Sequence, residues 1–217
     1  MNALEIIYDH YKETYKLSKE AQIRRNKSFV LLCILEAISF LLLIRPEKAL
    51  EIFLNGINNE LNITLELSNT ILQTLLWILI AYVMIRYVQD MLYIEKGYKY
   101  LEILEKEIGK EVKGFIREGE NYLENYPMVL NFIDLFYKML MPVIFIGING
   151  ARIYREWIFL DKTIIALLCD TILFMAIFII TWFYFFEIHS KITEFFKKNI
   201  PIINFLAKKL RNLLKGV

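Results

Sequence analysis

The sequence predicts an all-α polytopic membrane protein with four transmembrane helices, cytosolic helical extensions and a C-terminal amphipathic helix. Four apolar runs, at roughly 28–44, 71–87, 128–148 and 163–186, interrupt a chain that is 57% hydrophobic. A soluble domain would be about 45–50% apolar. Each run is about long enough to cross a hydrocarbon core of about 30 Å as a helix, and only helices or closed barrels satisfy their backbone there.

The runs divide the chain into five segments. We expect a cytosolic amphipathic helix in 1–27, a first transmembrane pair with its outer loop in 28–88, a cytosolic helix and interfacial elbow in 89–127, a second transmembrane pair in 128–187 and a basic amphipathic tail in 188–217. The successive segments outside the runs carry 6, 2, 6, 3 and 7 Lys and Arg residues. By the positive-inside rule, this alternation predicts that both termini lie on the cytoplasmic side of an inner (plasma) membrane.

The two cytosolic extensions each carry an apolar stripe. The stripe in 1–27 comprises Leu4, Ile7, Tyr8, Tyr11, Tyr15 and Ala21, and the stripe in 89–127 comprises Ile94, Tyr98, Leu101, Leu104, Ile108, Val112 and Phe115. Such spacing is typical of one face of a helix. We expect the two helices to pack on each other within one chain, or to form an oligomeric stalk that docks a cytosolic protein partner.

The tail predicts a lipid-binding helix. Beyond Pro201 its apolar face alternates with the basic residues Lys208, Lys209, Arg211 and Lys215. A helix of this kind lies on an anionic inner leaflet, where each base contributes about 1 kcal/mol. The sequence therefore predicts that these bases bind lipid headgroups. We expect no nucleic-acid partner, because no aromatic residues are interleaved among the bases for stacking.

Four charged residues lie deep inside the apolar runs, namely Glu36, Asp134, Lys138 and Asp170, whereas Arg86 lies at the end of the second run. A charge at the bilayer centre costs about 2.5–3.5 kcal/mol, so such groups usually face a bundle interior. Counting residues from the ends of the runs places all four within about 10 Å of depth, which predicts one polar cluster. Two interpretations stay open. The four residues fix helix packing as a buried structural set, or they line an aqueous path for cations or protons in an oligomer.

The third run contains further packing signals. Pro142 deprives the carbonyl of residue 138 of its usual helical donor, which predicts a helix kink beside Lys138. Gly147 and Ala151 form a small-xxx-small pair, which permits close helix packing.

Motifs for chemistry are absent from the sequence. It contains no glycine-rich phosphate loop, no nucleophile elbow and no paired His or Cys at metal-binding spacing. The two cysteines, Cys33 and Cys169, lie inside apolar runs and are interpreted as small core residues. We therefore expect no enzyme activity, no cofactor and no metal site.

The first half of the chain combines an N-terminal cytosolic helix, a tight pair of spans and a long charged helix. This layout resembles the SLATT-type membrane modules of prokaryotic defence systems, although those have two spans and this chain has four. The stretch 117–127, REGENYLENYP, is also similar to segments of uncharacterised small bacterial membrane proteins. The resemblance implies a pore-forming or membrane-disrupting effector that a partner holds inactive until infection.

Together these features predict a small oligomeric inner-membrane protein that affects membrane permeability under the control of a cytosolic partner. Two alternatives remain. One is a membrane scaffold or immunity-type protein without conduction, and the other is a small ion-coupled transporter, although the chain shows no inverted repeat.

Overall fold

The computed structural model describes residues 3–62, 68–113, 115, 128–159 and 163–187, together with the isolated residues 198 and 205. The helices in these residues are α1 (Ala3–Ile44), α2 (Pro46–Leu61), α3 (Asn69–Glu111), α4 (Met128–Leu135), a π-helical turn (Phe136–Leu140), α5 (Met141–Phe159) and α6 (Ile164–Glu187). The described part of the chain contains no strand, which confirms the predicted all-α class. The predicted elbow in 117–127 lies outside the described residues, as does nearly all of the tail, including Lys208, Lys209, Arg211 and Lys215.

Four helical stretches are long and apolar enough to cross a membrane. They are Leu4–Ile44, Asn69–Glu111, Phe132–Ile158 and Ile164–Phe185. Each overlaps one of the four apolar runs, so the predicted number and order of membrane-length helices are confirmed for the described residues.

Helices α1 and α3 are the two long elements and lie antiparallel. With 42 and 43 residues, each is about 64 Å long at about 1.5 Å per residue. That is about twice the thickness of a hydrocarbon core of about 30 Å. One half of this pair packs with α5 and α6 around the bundle core, which includes Leu32, Trp77, Met84, Tyr87, Ile177 and Tyr184.

The other half of the α1–α3 pair forms a separate stalk, made by residues 4–27 of α1 and 89–111 of α3. Its stalk core comprises Tyr11, Ala21, Ile94, Tyr98, Leu101, Leu104 and Ile108. Polar bonds flank this core: the Tyr11 hydroxyl donates to Glu105 at 2.9 Å, and Gln22 donates to the Tyr98 hydroxyl at 2.8 Å. The apolar stripes of the two extensions therefore pack against each other within one chain.

A glycine brings the two stalk helices together. A Cβ atom built on Gly97 would overlap the Oγ atom of Ser18 on α1, and Ser18 is fully buried. Gly109 lies further along α3, and a Cβ atom built on it would meet no atom within 4 Å. Gly97 therefore allows a close approach of the two helices, in which an added methyl group would displace the Ser18 hydroxyl.

Helix α2 lies where the sequence predicts an outer loop. Pro46 lies in its first turn, where a missing N–H costs nothing. One face of the helix, with Ala49, Leu50 and Phe53, packs against the bundle core. Arg45 is the single residue between α1 and α2, so the chain turns a sharp corner there.

Candidate functional site: two buried charge clusters

The first buried charge cluster, here called the lysine cluster, consists of Lys138, Glu95 and Asp134. The Lys138 ammonium lies 2.6 Å from a carboxylate oxygen of Glu95 on α3 and 2.6 Å from one of Asp134 on α4. The Lys138 and Glu95 side chains are 8% and 7% exposed. The Lys138 ammonium therefore links its own helical segment to α3 through Glu95, and it also pairs with Asp134 one turn earlier in the chain.

The backbone around Lys138 is a π-helical turn followed by Pro142. The Met141 N–H bonds the carbonyl of Phe136, five residues back. In the same register the donor for the Tyr137 carbonyl would be residue 142, and proline has no N–H. The Tyr87 hydroxyl donates to the Tyr137 carbonyl instead, at 2.7 Å.

Pro142 was predicted to free the carbonyl of residue 138 and to kink the helix there. The structure shows a π-helical turn immediately before Pro142, and the carbonyl that accepts an outside donor is that of Tyr137. The difference of one residue arises because the π-helical turn shifts the hydrogen-bond register from four residues to five.

The second cluster, the arginine cluster, is centred on Arg152 of α5. The Arg152 Nε atom pairs with Glu156 at 3.0 Å, and Nη2 donates to the backbone carbonyl of Gln73 at 2.9 Å. The guanidinium lies 4.2 Å from the ring centroid of Trp77, whose indole N–H donates to Glu156 at 3.0 Å. Arg152 and Glu156 are 2% and 0% exposed, so this pair is sealed inside the bundle.

Two more acids complete the arginine cluster. Asn149 donates to one carboxylate oxygen of Glu36 and to the carbonyl of Phe145 at 2.8 Å. Glu36 and Asp170 both lie close enough to Arg152 to interact with it electrostatically. The cluster therefore gathers groups from α1, α3, α5 and α6, with three carboxyl groups around one guanidinium.

The four predicted polar residues are thus divided between two clusters. Asp134 and Lys138 belong to the lysine cluster, and Glu36 and Asp170 belong to the arginine cluster. Lys138 and Arg152 are 14 residues apart on one nearly continuous helix, or about 20 Å at about 1.5 Å per residue. The single cluster expected from the sequence is therefore corrected to two.

Three charged residues of the two clusters, Arg152, Glu156 and Glu95, are not among the four predicted from the sequence. Arg152 and Glu156 lie beyond the third apolar run, which ends near residue 148, whereas α5 extends to Phe159. A usable signal was present, because Phe145, Asn149, Arg152 and Glu156 follow one another at spacings of three or four. Glu95 lies in the predicted cytosolic helix of 89–127, where the basic residue at helical spacing is Lys99. Its partner in the structure, Lys138, is 43 residues away in the sequence.

Several buried polar atoms of the arginine cluster lack hydrogen-bond partners among the described residues. They are Glu36 Oε2, Asn149 Oδ1, Gln73 Oε1, Ser39 Oγ and Arg152 Nη1. Each such atom costs about 1–3 kcal/mol when dry, and buried polar groups of this kind usually bind water. The described residues contain no group of three or more acids, histidines or cysteines placed to hold a metal ion. Since most of the unpaired atoms are acceptors, the arrangement suits a proton or a hydrated cation.

Gly147 and Ala151 lie beside this cluster on the outer face of α5. Both are exposed, and a Cβ atom on Gly147 would meet no atom within 4 Å. The two residues border a cavity of about 240 Å³ that Ser39 and Arg152 also line. The other wall of this cavity is formed by α1, through Ser39, Phe40 and Leu43. In the described residues a gap therefore separates α1 from Gly147 and Ala151, and the predicted close packing at this pair is not seen.

No protein family, curated protein or solved structure matches the chain. The described residues thus define an all-helical protein with four membrane-length helices, a stalk and two buried charge clusters.

Proposed function

We propose that the chain is a multi-pass inner-membrane protein that forms homo-oligomers and changes membrane permeability under the control of a cytosolic protein partner. Both termini lie in the cytoplasm in this proposal, and the basic tail binds the anionic inner leaflet. The role is that of a pore-forming or membrane-disrupting effector, in line with the resemblance to SLATT-type modules of antiviral defence.

The observation that carries the proposal is the arginine cluster inside helices long enough to span a membrane. Ionisable groups in such helices usually mark an ion or proton path, because their burial is expensive. Glu36, Asp170 and Glu156 outnumber Arg152, and a net acidic lining favours cations or protons. The atoms without hydrogen-bond partners are suited to hydration within such a path.

The outer surface of the bundle supports a membrane location. Large apolar side chains on three different helices, including Val30, Tyr82 and Ile172, are 56%, 59% and 67% exposed. Apolar surface on this scale marks contact with a membrane or another protein.

The stalk supports control from the cytosol. Helices α1 and α3 run without a break from the stalk into the bundle. A partner that moves the stalk helices therefore also moves Glu36 on α1 and Glu95 on α3. Glu36 belongs to the arginine cluster, and Glu95 belongs to the lysine cluster. Packed helices have discrete arrangements, which makes such coupling physically reasonable.

The proposal is tested by induced expression of the full chain in bacteria loaded with a potential-sensitive dye. Wild type is expected to depolarise the cells, and Glu36→Gln is expected to slow depolarisation at equal membrane abundance. The control is Glu60→Gln, which changes an exposed acid on α2. Cells that stay polarised with the wild type, even when the neighbouring genes are co-expressed and triggered, would contradict the proposal.

A scaffold or immunity-type protein without conduction is the second candidate. It is favoured by the internal pairing of the charges, Arg152 with Glu156 and Lys138 with Glu95 and Asp134. In that case neutralising these residues changes folding and membrane abundance alone. A small ion-coupled transporter, the third candidate, predicts solute uptake that depends on an ion gradient.

A further inference from the structure

The corner between α1 and α2 encloses an apolar groove of about 470 Å³. Apolar side chains from the end of α1, such as Leu41 and Ile44, face others from α2, such as Ile52 and Phe53. The corner exists because Pro46 cannot continue α1 and starts a new helix after Arg45. We call this the corner groove.

The walls of the corner groove are unusually exposed for apolar residues. Leu41 is 60% exposed and Ile52 is 73% exposed, although other residues of α2 pack on the bundle core. Neither residue is covered by another helix of the described chain, so the groove can accept an apolar ligand from outside.

Two bases, Arg45 and Lys48, also line the corner groove. Both are exposed, and neither forms an ion pair or a side-chain hydrogen bond among the described residues. The acids Glu47 and Glu51 lie on the same helix but do not line the groove. The groove therefore combines apolar walls with two positive charges that are free to bind an anion.

We propose that the corner groove binds a phospholipid with a net negative headgroup. The phosphate binds between Arg45 and Lys48, and part of an acyl chain lies against Leu41, Ile44 and Ile52. With the N-terminus in the cytoplasm, the groove lies at the outer end of α1, at the depth where headgroups of the outer leaflet meet acyl chains. Arg45 and Lys48 at this depth can pair directly with a lipid phosphate. The inference rests on the membrane location in the proposed function, and it is independent of permeability.

The test measures lipid binding by the full chain, purified in detergent, using native mass spectrometry. Lys208, Lys209, Arg211 and Lys215 are changed to Gln in every protein tested, so that the tail does not contribute, and wild type here means the chain with an unaltered groove. The probes are dioleoyl phosphatidylglycerol and dioleoyl phosphatidylcholine, which carry the same acyl chains and differ in net charge. Wild type is expected to retain phosphatidylglycerol more strongly than phosphatidylcholine. Arg45→Gln combined with Lys48→Gln is expected to weaken this binding about 25-fold, since each base near an anionic headgroup contributes about fivefold.

The matched control removes two positive charges from the stalk, by Lys12→Gln and Lys16→Gln, and should bind phosphatidylglycerol like wild type. Ile52→Trp fills the groove without touching the bases, and it should weaken binding of both phospholipids. Equal retention of the two phospholipids by wild type would overturn the inference, as would equal losses in the groove and stalk variants. Dimerisation through the groove, in place of lipid binding, would also overturn it.

Carbonate extraction of membranes separates the two proposals. A chain that is extracted as a peripheral protein contradicts the membrane location and the lipid site together. A chain that stays in the membrane but shows no headgroup preference contradicts the lipid site alone.

Discussion

Replacing Lys138 by methionine would leave the carboxylates of Glu95 and Asp134 facing each other without a cation. Both now lie 2.6 Å from the Lys138 ammonium. Removing one partner of a buried ion pair typically costs about 3–5 kcal/mol, because an uncompensated charge remains buried. We expect Lys138→Met to lower the free energy of unfolding by that amount.

The neighbouring substitutions should cost less. Glu95→Gln leaves the ammonium paired with Asp134, so we expect a loss of about 1.5 kcal/mol, the value of one charged hydrogen bond. Asp134→Asn should cost less still, since the Asp134 side chain is 23% exposed and water screens it. Combining Lys138→Met with Glu95→Gln should be less harmful than Lys138→Met alone, because it removes one of the two stranded charges.

The assay is equilibrium unfolding of the purified chain in mixed micelles with increasing sodium dodecyl sulfate, followed by circular dichroism. Lys106→Met is the control, because Lys106 pairs with Glu102 on the exposed surface of the stalk, where a loss below about 1 kcal/mol is expected. The reasoning is refuted if Lys138→Met costs no more than Lys106→Met. It is also refuted if the double variant is less stable than Lys138→Met alone.

Three further predictions concern the helix backbone and the tail. Tyr87→Phe leaves the Tyr137 carbonyl without its donor and should cost about 1–3 kcal/mol in the same unfolding assay; an unchanged midpoint would contradict this. Gly97→Leu, whose side chain is too large for rotation of the Ser18 hydroxyl to accommodate, should separate the stalk helices and speed limited proteolysis of the stalk, whereas Gly109→Leu, at a position where a Cβ atom meets no atom within 4 Å, should leave proteolysis unchanged or slow it. Truncation after Asn199 should leave the protein membrane-inserted while weakening its binding to anionic vesicles, and complete loss of insertion would contradict the proposed role of the tail.

Apolar runs and stripes carried enough information to predict the four membrane-length helices and to include pairing of the two stripes within one chain as one of two interpretations. A continuous apolar run has to be buried or placed in lipid, and this requirement depends only on local sequence. The apolar stripe that contains Tyr11 and the one that contains Tyr98 each have to be buried against another surface. In the structure the two stripes bury each other.

The charge clusters were harder to predict because they depend on contacts between distant residues. Arg152 reaches Gln73 and Trp77 on α3, and no local pattern in the sequence specifies that contact. The ends of the apolar runs were also misleading, since α5 continues past residue 148 with polar residues on its inner face. Helix α2 was missed although Ala49, Leu50, Phe53 and Ile57 follow helical spacing behind Pro46, because the segment between the first two apolar runs was interpreted only as an outer loop.

The most direct test of the account is ion flux through proteoliposomes that contain the purified full chain. With a potassium gradient and a potential-sensitive dye, the account predicts that wild-type proteoliposomes dissipate the potential, and that Glu36→Gln slows the dissipation while Glu60→Gln does not. Proteoliposomes that hold their potential as long as protein-free vesicles, with the chain folded and inserted, would contradict the account.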